Sequence, residues 1–121
     1  MENFVLCRIT SAGRTLSFRA LRSWRERLVG LLGTRRDAGP VALCGCSSVH
    51  TVGMRYAIDV ALVTRGGRVL ASRRCVPPFR LMMAPGAYYA FERPVSDAPW
   101  PEVGSWIAIA SSDNEMAWEG V

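Results

Sequence analysis

Two cysteines and the only histidine of the chain lie within seven positions, in the stretch CGCSSVHTVGM. Thiolates and imidazoles are zinc ligands, so Cys44, Cys46 and His50 could bind a metal ion. A fourth ligand could come from Cys7 or Cys75. The spacing differs from the C-x2-C pattern of zinc fingers and ribbons. We therefore favour buried, unligated thiols and expect no cofactor, with the metal site as the alternative.

The same stretch contains a local thiol and imidazole pair, Cys46 and His50. A thiolate beside a base is the arrangement of a cysteine nucleophile, and Asp59 could orient the imidazole if its strand lies nearby. A domain this small usually lacks a second wall to enclose an acyl-transfer site. We expect a protein that is not an enzyme, and keep a small metal- or thiol-dependent hydrolase as an alternative.

Asp59 stands between Ile58 and Val60 in an otherwise apolar run. A carboxylate buried there without a partner would be costly, so it should face solvent or a partner. We favour a structural tie to Arg55, to Arg8 or to backbone N–H groups. The alternative is a polar group in a ligand pocket. The residues that could line such a pocket with it are Thr51, Tyr56, Glu92 and Arg93.

The composition is that of an ordinary folded domain. The chain has 121 residues, of which 50% are hydrophobic and 21% charged, and all fifteen basic residues are arginine, with a net charge of +5. We expect one domain over residues 1–121, with a loosely held tail at 111–121. The first residues, MENFVLCRIT, resemble no signal peptide, and no apolar run is long enough to span a membrane. We therefore expect a cytoplasmic protein with reduced thiols.

Apolar residues recur at helical spacing near residues 18–32, which predicts one amphipathic helix that ends at Gly33. These residues are Phe18, Leu21, Trp24, Leu28, Leu31 and Leu32. The other face is rich in arginine and could follow a phosphate backbone. Its members are Arg19, Arg22, Arg25 and Arg27, with Arg35 and Arg36 beyond the helix. No aromatic residue is interleaved with them, so we favour a solvated face over nucleic-acid binding.

Short apolar and β-branched runs predict six or seven strands in the rest of the chain. The runs are NFVLCRIT, VALC, VHTV, AIDVALV, RVLASRRC, AYYAFE and VGSWIAIA. Arg65, Gly66 and Gly67 separate two of them and predict a hairpin. VPPFRLMMAPG is interpreted as a proline-rich connection. The fold class predicted is mostly β (α+β), an antiparallel β-sandwich or closed barrel, jelly-roll-like, with the helix over an open end.

Three blocks of this sequence resemble the domain of unknown function 192 family. They are ERLVGLLG at 26–33, HTVGMRYAIDVALVTRGGRVL at 50–70 and PGAYYAFE at 85–92. The resemblance covers about residues 15–110. It implies a small β-rich fold found in bacteria and archaea, without an established activity. The landmark positions that it carries over are Gly30, Gly33, His50, Met54, Asp59, Gly67 and Glu92. ERPVSDAPW replaces the Asn-Ala-Gly turn that is frequent in the family, and the signal peptide of many relatives is missing.

These observations favour a binding or accessory module without catalysis, whose partner is an unknown small ligand or protein. Its site is predicted in a groove at the end of the barrel, where SSVHTVGMRY could meet the segment around Glu92. The predicted lining residues are His50, Thr51, Met54, Asp59 and Glu92.

Overall fold

The computed structural model describes residues 4–9, 13–22 and 39–111. These residues contain nine β-strands: β1 Phe4–Ile9, β2 Arg14–Leu21, β3 Val41–Cys44, β4 Ser48–His50, β5 Ile58–Val63, β6 Val69–Val76, β7 Leu81–Met83, β8 Tyr89–Pro94 and β9 Ala108–Ser111. No helix occurs within these three ranges, and so none among them could cross a membrane. The prediction of a mostly β protein is confirmed.

Seven of the strands form one sheet in the order β6-β5-β8-β3-β2-β1-β9, and β4 pairs with β7 in a second sheet. Neighbours are antiparallel except β2 and β3, which run parallel. The two edges of the large sheet meet at one end. There the Val69 N–H donates to the Ser105 carbonyl (3.0 Å) and the Ile107 N–H to the Gly67 carbonyl (2.9 Å). The sheet is therefore curled, and backbone hydrogen bonds join its edges at that end.

Both faces of the large sheet carry a hydrophobic core. The first core includes Val5, Cys7, Phe18, Phe91 and Trp100. The second core includes Leu21, Val41, Leu43, Val60 and Met54, and Val49 of β4 belongs to it. The central strands β3 and β5 are buried at every position. Such strands are almost continuously apolar instead of alternating, which explains the run AIDVALV with Asp59 as its one polar residue.

The predicted helix is wrong where the structure describes it. Phe18 and Leu21 lie in β2, and Phe18 pairs with Val5 of β1. Leu16, Phe18 and Ala20 alternate with polar residues, which is the period of a strand, but the helical spacing of the following leucines obscured it. Residues 23–38, which hold the rest of the predicted helix, lie outside the described residues. Of the arginine face, Arg19 is exposed on β2 and Arg22 follows that strand, whereas Arg25, Arg27, Arg35 and Arg36 fall in the undescribed range.

The predicted hairpin is confirmed: β5 and β6 are antiparallel neighbours. Gly67 lies in its turn with a φ of +106°, a conformation that side chains rarely adopt. A Cβ at this position would overlap the backbone carbonyl oxygen of Ile107, whereas a Cβ on the adjacent Gly66 would meet no atom. Gly67 therefore allows the close backbone approach that joins the edges of the sheet.

Gly67→Ala should lower the free energy of unfolding by at least about 2 kcal/mol, because it adds both backbone strain and a backbone overlap. Gly66→Ala is the matched control and should change stability by no more than about 0.5 kcal/mol. Urea unfolding of both variants measures the difference. Equal stability of the two variants would contradict the assigned contact with Ile107.

Candidate functional site

Asp59 and Arg93 form a buried ion pair on adjacent strands. Their Cα atoms are partners in the β5–β8 ladder, and Arg93 Nε donates to Asp59 Oδ2 at 2.8 Å. The Cys75 N–H donates to Asp59 Oδ1 at 2.9 Å. Asp59 is thus a charge-assisted tie, as predicted. Its cation is Arg93 instead of the expected Arg55 or Arg8, while the backbone N–H was among the expected partners.

Arg93 also holds the loop that follows β8. Its guanidinium donates to the carbonyls of Ala98 (2.6 Å) and Pro99 (3.1 Å), and its Cζ lies 4.4 Å from the ring centroid of Trp100. Trp100 Nε1 in turn donates to the carbonyl of Val60 (3.2 Å). The hydrogen-bonding groups of this pair are committed to the fold, so the pair has a structural role.

Glu92 is the second buried acid and lies on the opposite face of the sheet. Its Cα partners are Val41 and Val60, both members of the second core. The residue is 4% exposed. Burial raises the pKa of the Glu92 carboxyl from its ordinary 4.5 to about 7. A carboxyl in this surrounding is partly neutral near pH 7, because desolvation disfavours the charged form.

Thr51 connects the two segments that form the small sheet. Its hydroxyl donates to the carbonyl of Pro77 (2.8 Å) and accepts a hydrogen bond from the Arg80 N–H (2.8 Å). Its backbone N–H donates to the Arg80 carbonyl (2.8 Å), and its carbonyl accepts from the Phe79 N–H (3.2 Å). Thr51 thereby fixes the end of β4 against the chain entering β7.

The five residues predicted to line a groove do not share one face. Met54 and Glu92 lie on the side of the second core, and Thr51 is buried at the end of β4 beside it. His50 is exposed on β4. Asp59 lies across the sheet from Glu92, because successive residues of a strand point to opposite faces. Ligand binding at these residues stays a prediction.

The cysteines are four free thiols in different surroundings. Burial raises the pKa of the Cys7 thiol to about 12, and Cys44 is also buried. The thiol of Cys46 donates to the carbonyl of Ser48 (3.0 Å), not to His50. Within the described ranges no three His, Cys, Asp or Glu side chains are placed to hold one metal ion. The alternative set of Cys44, Cys46 and His50 is therefore not assembled.

A polar cavity of about 250 Å³ lies beside the loop that Arg93 holds. Its lining residues are Ser72, Arg74, Trp100, Pro101, Glu102 and Val103. The guanidinium of Arg74 already donates to the carbonyls of Ser96 and Ala98. None of the predicted site residues lines this cavity.

Large apolar side chains are exposed on the outer face of the small sheet and on the residues that flank its strands. Val52, Phe79, Leu81 and Met83 are 51%, 72%, 66% and 64% exposed, and we call these four residues the outer row. On this face His50 pairs with Leu81 and Ser48 with Met83. The inward residues of the same strands, Val49 and Met82, pack on the second core. The small sheet thus has apolar residues on both faces, one packed on the second core and the other exposed.

Sequence reasoning missed the outer row. The segment VPPFRLMMAPG was interpreted as a proline-rich connection. The available signal was the alternation of Phe79, Leu81 and Met83 with Arg80 and Met82, which has the period of a strand. Pro77 and Pro78 masked it, because prolines usually indicate a loop.

No protein-family model matches the chain, and no curated protein matches it. Two solved structures are similar. One is a proposed transcription regulator from Sinorhizobium meliloti, with 15% identity, a TM-score of 0.72 and coverage of 93% of this chain and 95% of that one. The other is a protein of unknown function from Novosphingobium aromaticivorans, with 18% identity, a TM-score of 0.61 and coverage of 77% and 73%. They show that this fold occurs in both proteins.

The raised pKa of Glu92 predicts a pH-dependent stability. Below pH 4.5 the carboxyl is protonated in both the folded and the unfolded state, and burial of Glu92 then does not lower the stability through ionisation. As pH rises, the unfolded state ionises first, so stability falls and the loss is complete once pH passes about 7. The total loss is about 3 kcal/mol at most.

Glu92→Gln should therefore be more stable than the wild type above about pH 7 and similar to it near pH 4. Urea unfolding across this pH range measures the effect. Glu102→Gln, which removes an exposed carboxylate, is the control and should leave the shape of the curve unchanged. If Glu92→Gln and the wild type show the same dependence of stability on pH, the Glu92 carboxyl is not desolvated in the fold.

Proposed function

We propose that this protein is a binding module without catalysis that engages another protein through the outer row. The observation that carries the proposal is the exposure of four apolar side chains in the small sheet and the residues that flank it, Leu81 and Met83 in β7 and Val52 and Phe79 beside the strands. Single exposed apolar residues are ordinary, but a contiguous group is typical of an interaction surface. Aromatic residues and methionine are also enriched at such surfaces.

The outer row is fixed in place before any partner binds. Thr51 ties the chain before Val52 to the chain entering β7 through four hydrogen bonds of 2.8 to 3.2 Å. Val49 and Met82 anchor the same strands from below on the second core. A preformed surface loses less conformational entropy on binding, which favours affinity. A loop displaying the same side chains without these ties would lack that advantage.

The proposal refines the predicted groove instead of repeating it. His50 lies on the outer face beside Leu81, and Thr51 supports that face, whereas Met54 and Glu92 belong to the layer beneath it.

We also propose membership of the domain of unknown function 192 family. The close approach at Gly67 and the tie at Asp59 give two of its landmark residues a physical role. The cytoplasmic location, the single-domain organisation and the absence of catalysis stay predictions.

Selection from a displayed library of random peptides tests the proposed function. Peptides enriched on the wild-type protein should lose binding to the double variant Leu81→Ser, Met83→Ser. The variant should keep the wild-type stability within about 1 kcal/mol, because both side chains are largely exposed. The matched control is Val95→Ser, Val103→Ser, which removes two exposed apolar side chains elsewhere and should retain peptide binding.

Two results would contradict the proposed function. One is that no peptide is enriched on the wild-type protein. The other is that the enriched peptides bind the Leu81→Ser, Met83→Ser variant as well as the wild type.

A further inference from the structure

We propose that the partner contributes an acidic, extended segment that adds to the free edge of β7 as a third strand of the small sheet. This inference rests on the proposed function of the outer row and specifies its occupant. It is carried by three observations: the unpaired backbone of β7, the alternation of its side chains and the sign of the charge around it.

The backbone of β7 is paired on one side only. In the β4–β7 ladder Ser48 lies opposite Met83 and His50 opposite Leu81. The Ala84 N–H donates to the Ser47 carbonyl (2.9 Å), and the Thr51 N–H donates to the Arg80 carbonyl (2.8 Å). Backbone groups of an antiparallel strand alternate in direction, so Arg80, Met82 and Ala84 face β4.

The backbone N–H and C=O groups of Leu81 and Met83 consequently point away from β4. In the described part of the chain, β7 pairs with no other strand. Both residues are exposed, at 66% and 64%. An edge of this kind is a template for another strand, and peptide recognition by strand addition uses it.

The side chains beside this edge select an alternating segment. Neighbouring strands place side chains of the same face next to one another. Apolar residues of an added strand would therefore lie beside Leu81 and Met83, and the residues between them would lie on the face of Arg80. The edge is short, so the partner segment would be about four to six residues long.

The charge around β7 favours an acidic partner. Arg55 and Arg80 are exposed in the two segments, 45–57 and 77–88, that build the small sheet and its connections. These segments contain no aspartate or glutamate, and the whole chain has a net charge of +5. Opposite charge on the partner would speed encounter and set the orientation.

The same charge disfavours two other occupants of the edge. A second copy of this chain would bring Arg55 and Arg80 of each subunit to one interface, where like charges repel. An anionic lipid surface would attract the arginines but could not satisfy the backbone groups of Leu81 and Met83. We therefore assign the edge to an acidic peptide segment.

The test uses peptides enriched in the library selection on the wild-type protein, synthesised in three forms. One form is unmodified, and two carry N-methyl groups at alternate residues in opposite phases. In strand addition every second N–H of the peptide faces β7, so one methylated form should lose binding and the other should keep it. Fluorescence anisotropy of labelled peptide measures the affinity.

Protein variants test the same edge. Met83→Pro removes the outward N–H without removing a hydrogen bond to β4, and edge positions tolerate proline. Met83→Ala is the matched control, because it shortens the side chain and keeps the N–H. Met83→Pro should bind about 3- to 10-fold more weakly than Met83→Ala. Arg80→Glu should weaken binding about 2- to 5-fold, and added salt should reduce that effect.

Each alternative has a distinct result. Enriched peptides could depend on Leu81 and Met83 and yet not be acidic, or they could bind equally well with either set of N-methyl groups. Either result would overturn this inference and leave the proposed function standing. Sedimentation of the free protein as a dimer that Met83→Pro dissociates would assign the edge to a second copy. A third result is that the library selection enriches no peptide, while Met83→Pro and Met83→Ala bind phosphatidylglycerol vesicles equally well. This result would assign the surface to lipid and overturn both proposals.

Discussion

The buried ion pair of Asp59 and Arg93 fixes the arrangement of β5, β8 and the loop beyond β8. Two charged groups are removed from water here, at 0% and 4% exposure, and such burial is tolerated only when the remaining hydrogen-bonding groups are satisfied. The Cys75 N–H and the carbonyls of Ala98 and Pro99 supply those partners. The polar groups of the pair are thus used within the fold, and the loop is held so that Trp100 can cover the first core.

The two-sided burial of the central strands determines where a function can reside. Because β3 and β5 are buried on both faces, a ligand cannot reach their side chains without displacing a core. Two buried acids interrupt the apolar central strands. Asp59 of β5 ties a loop through Arg93, and burial of Glu92 in β8 raises the pKa of its carboxyl. The proposed interaction surface lies on the small sheet, whose strands β4 and β7 pack Val49 and Met82 on the second core and expose Leu81 and Met83 of the outer row.

Much of the β structure could be predicted from local pattern. The hairpin at Gly67, the strands from Val41 onward other than β7, and the need of Asp59 for a partner all follow from neighbouring residues. The identity of that partner does not, because Arg93 meets Asp59 only through the register of two strands 34 positions apart. The same limit explains why the residues predicted to line one groove do not share one face. The pairing of β5 with β8 places Asp59 and Glu92 on opposite faces of the sheet, and their positions near recognisable motifs do not reveal this. The start of the predicted helix at Phe18 was wrong for a related reason. Residues Arg14–Leu21 form a strand because they pair with β1, and this pairing cannot be seen in the local sequence. The outer row was missed because prolines beside a strand of three residues resemble a loop.

Amide hydrogen exchange of the free protein, resolved by residue with NMR, tests the central claim that β7 offers a preformed and unpaired edge. The amides of Leu81 and Met83 should exchange much faster than those of Arg80, Met82 and Ala84, which face Thr51, β4 and Ser47 respectively. This contrast would show that the small sheet is formed and that its outer edge is free for a partner. Slow exchange at Leu81 and Met83 would show that another part of the chain or a second copy already covers the edge, and fast exchange at all five would show that the small sheet is not preformed. Either result would contradict the account.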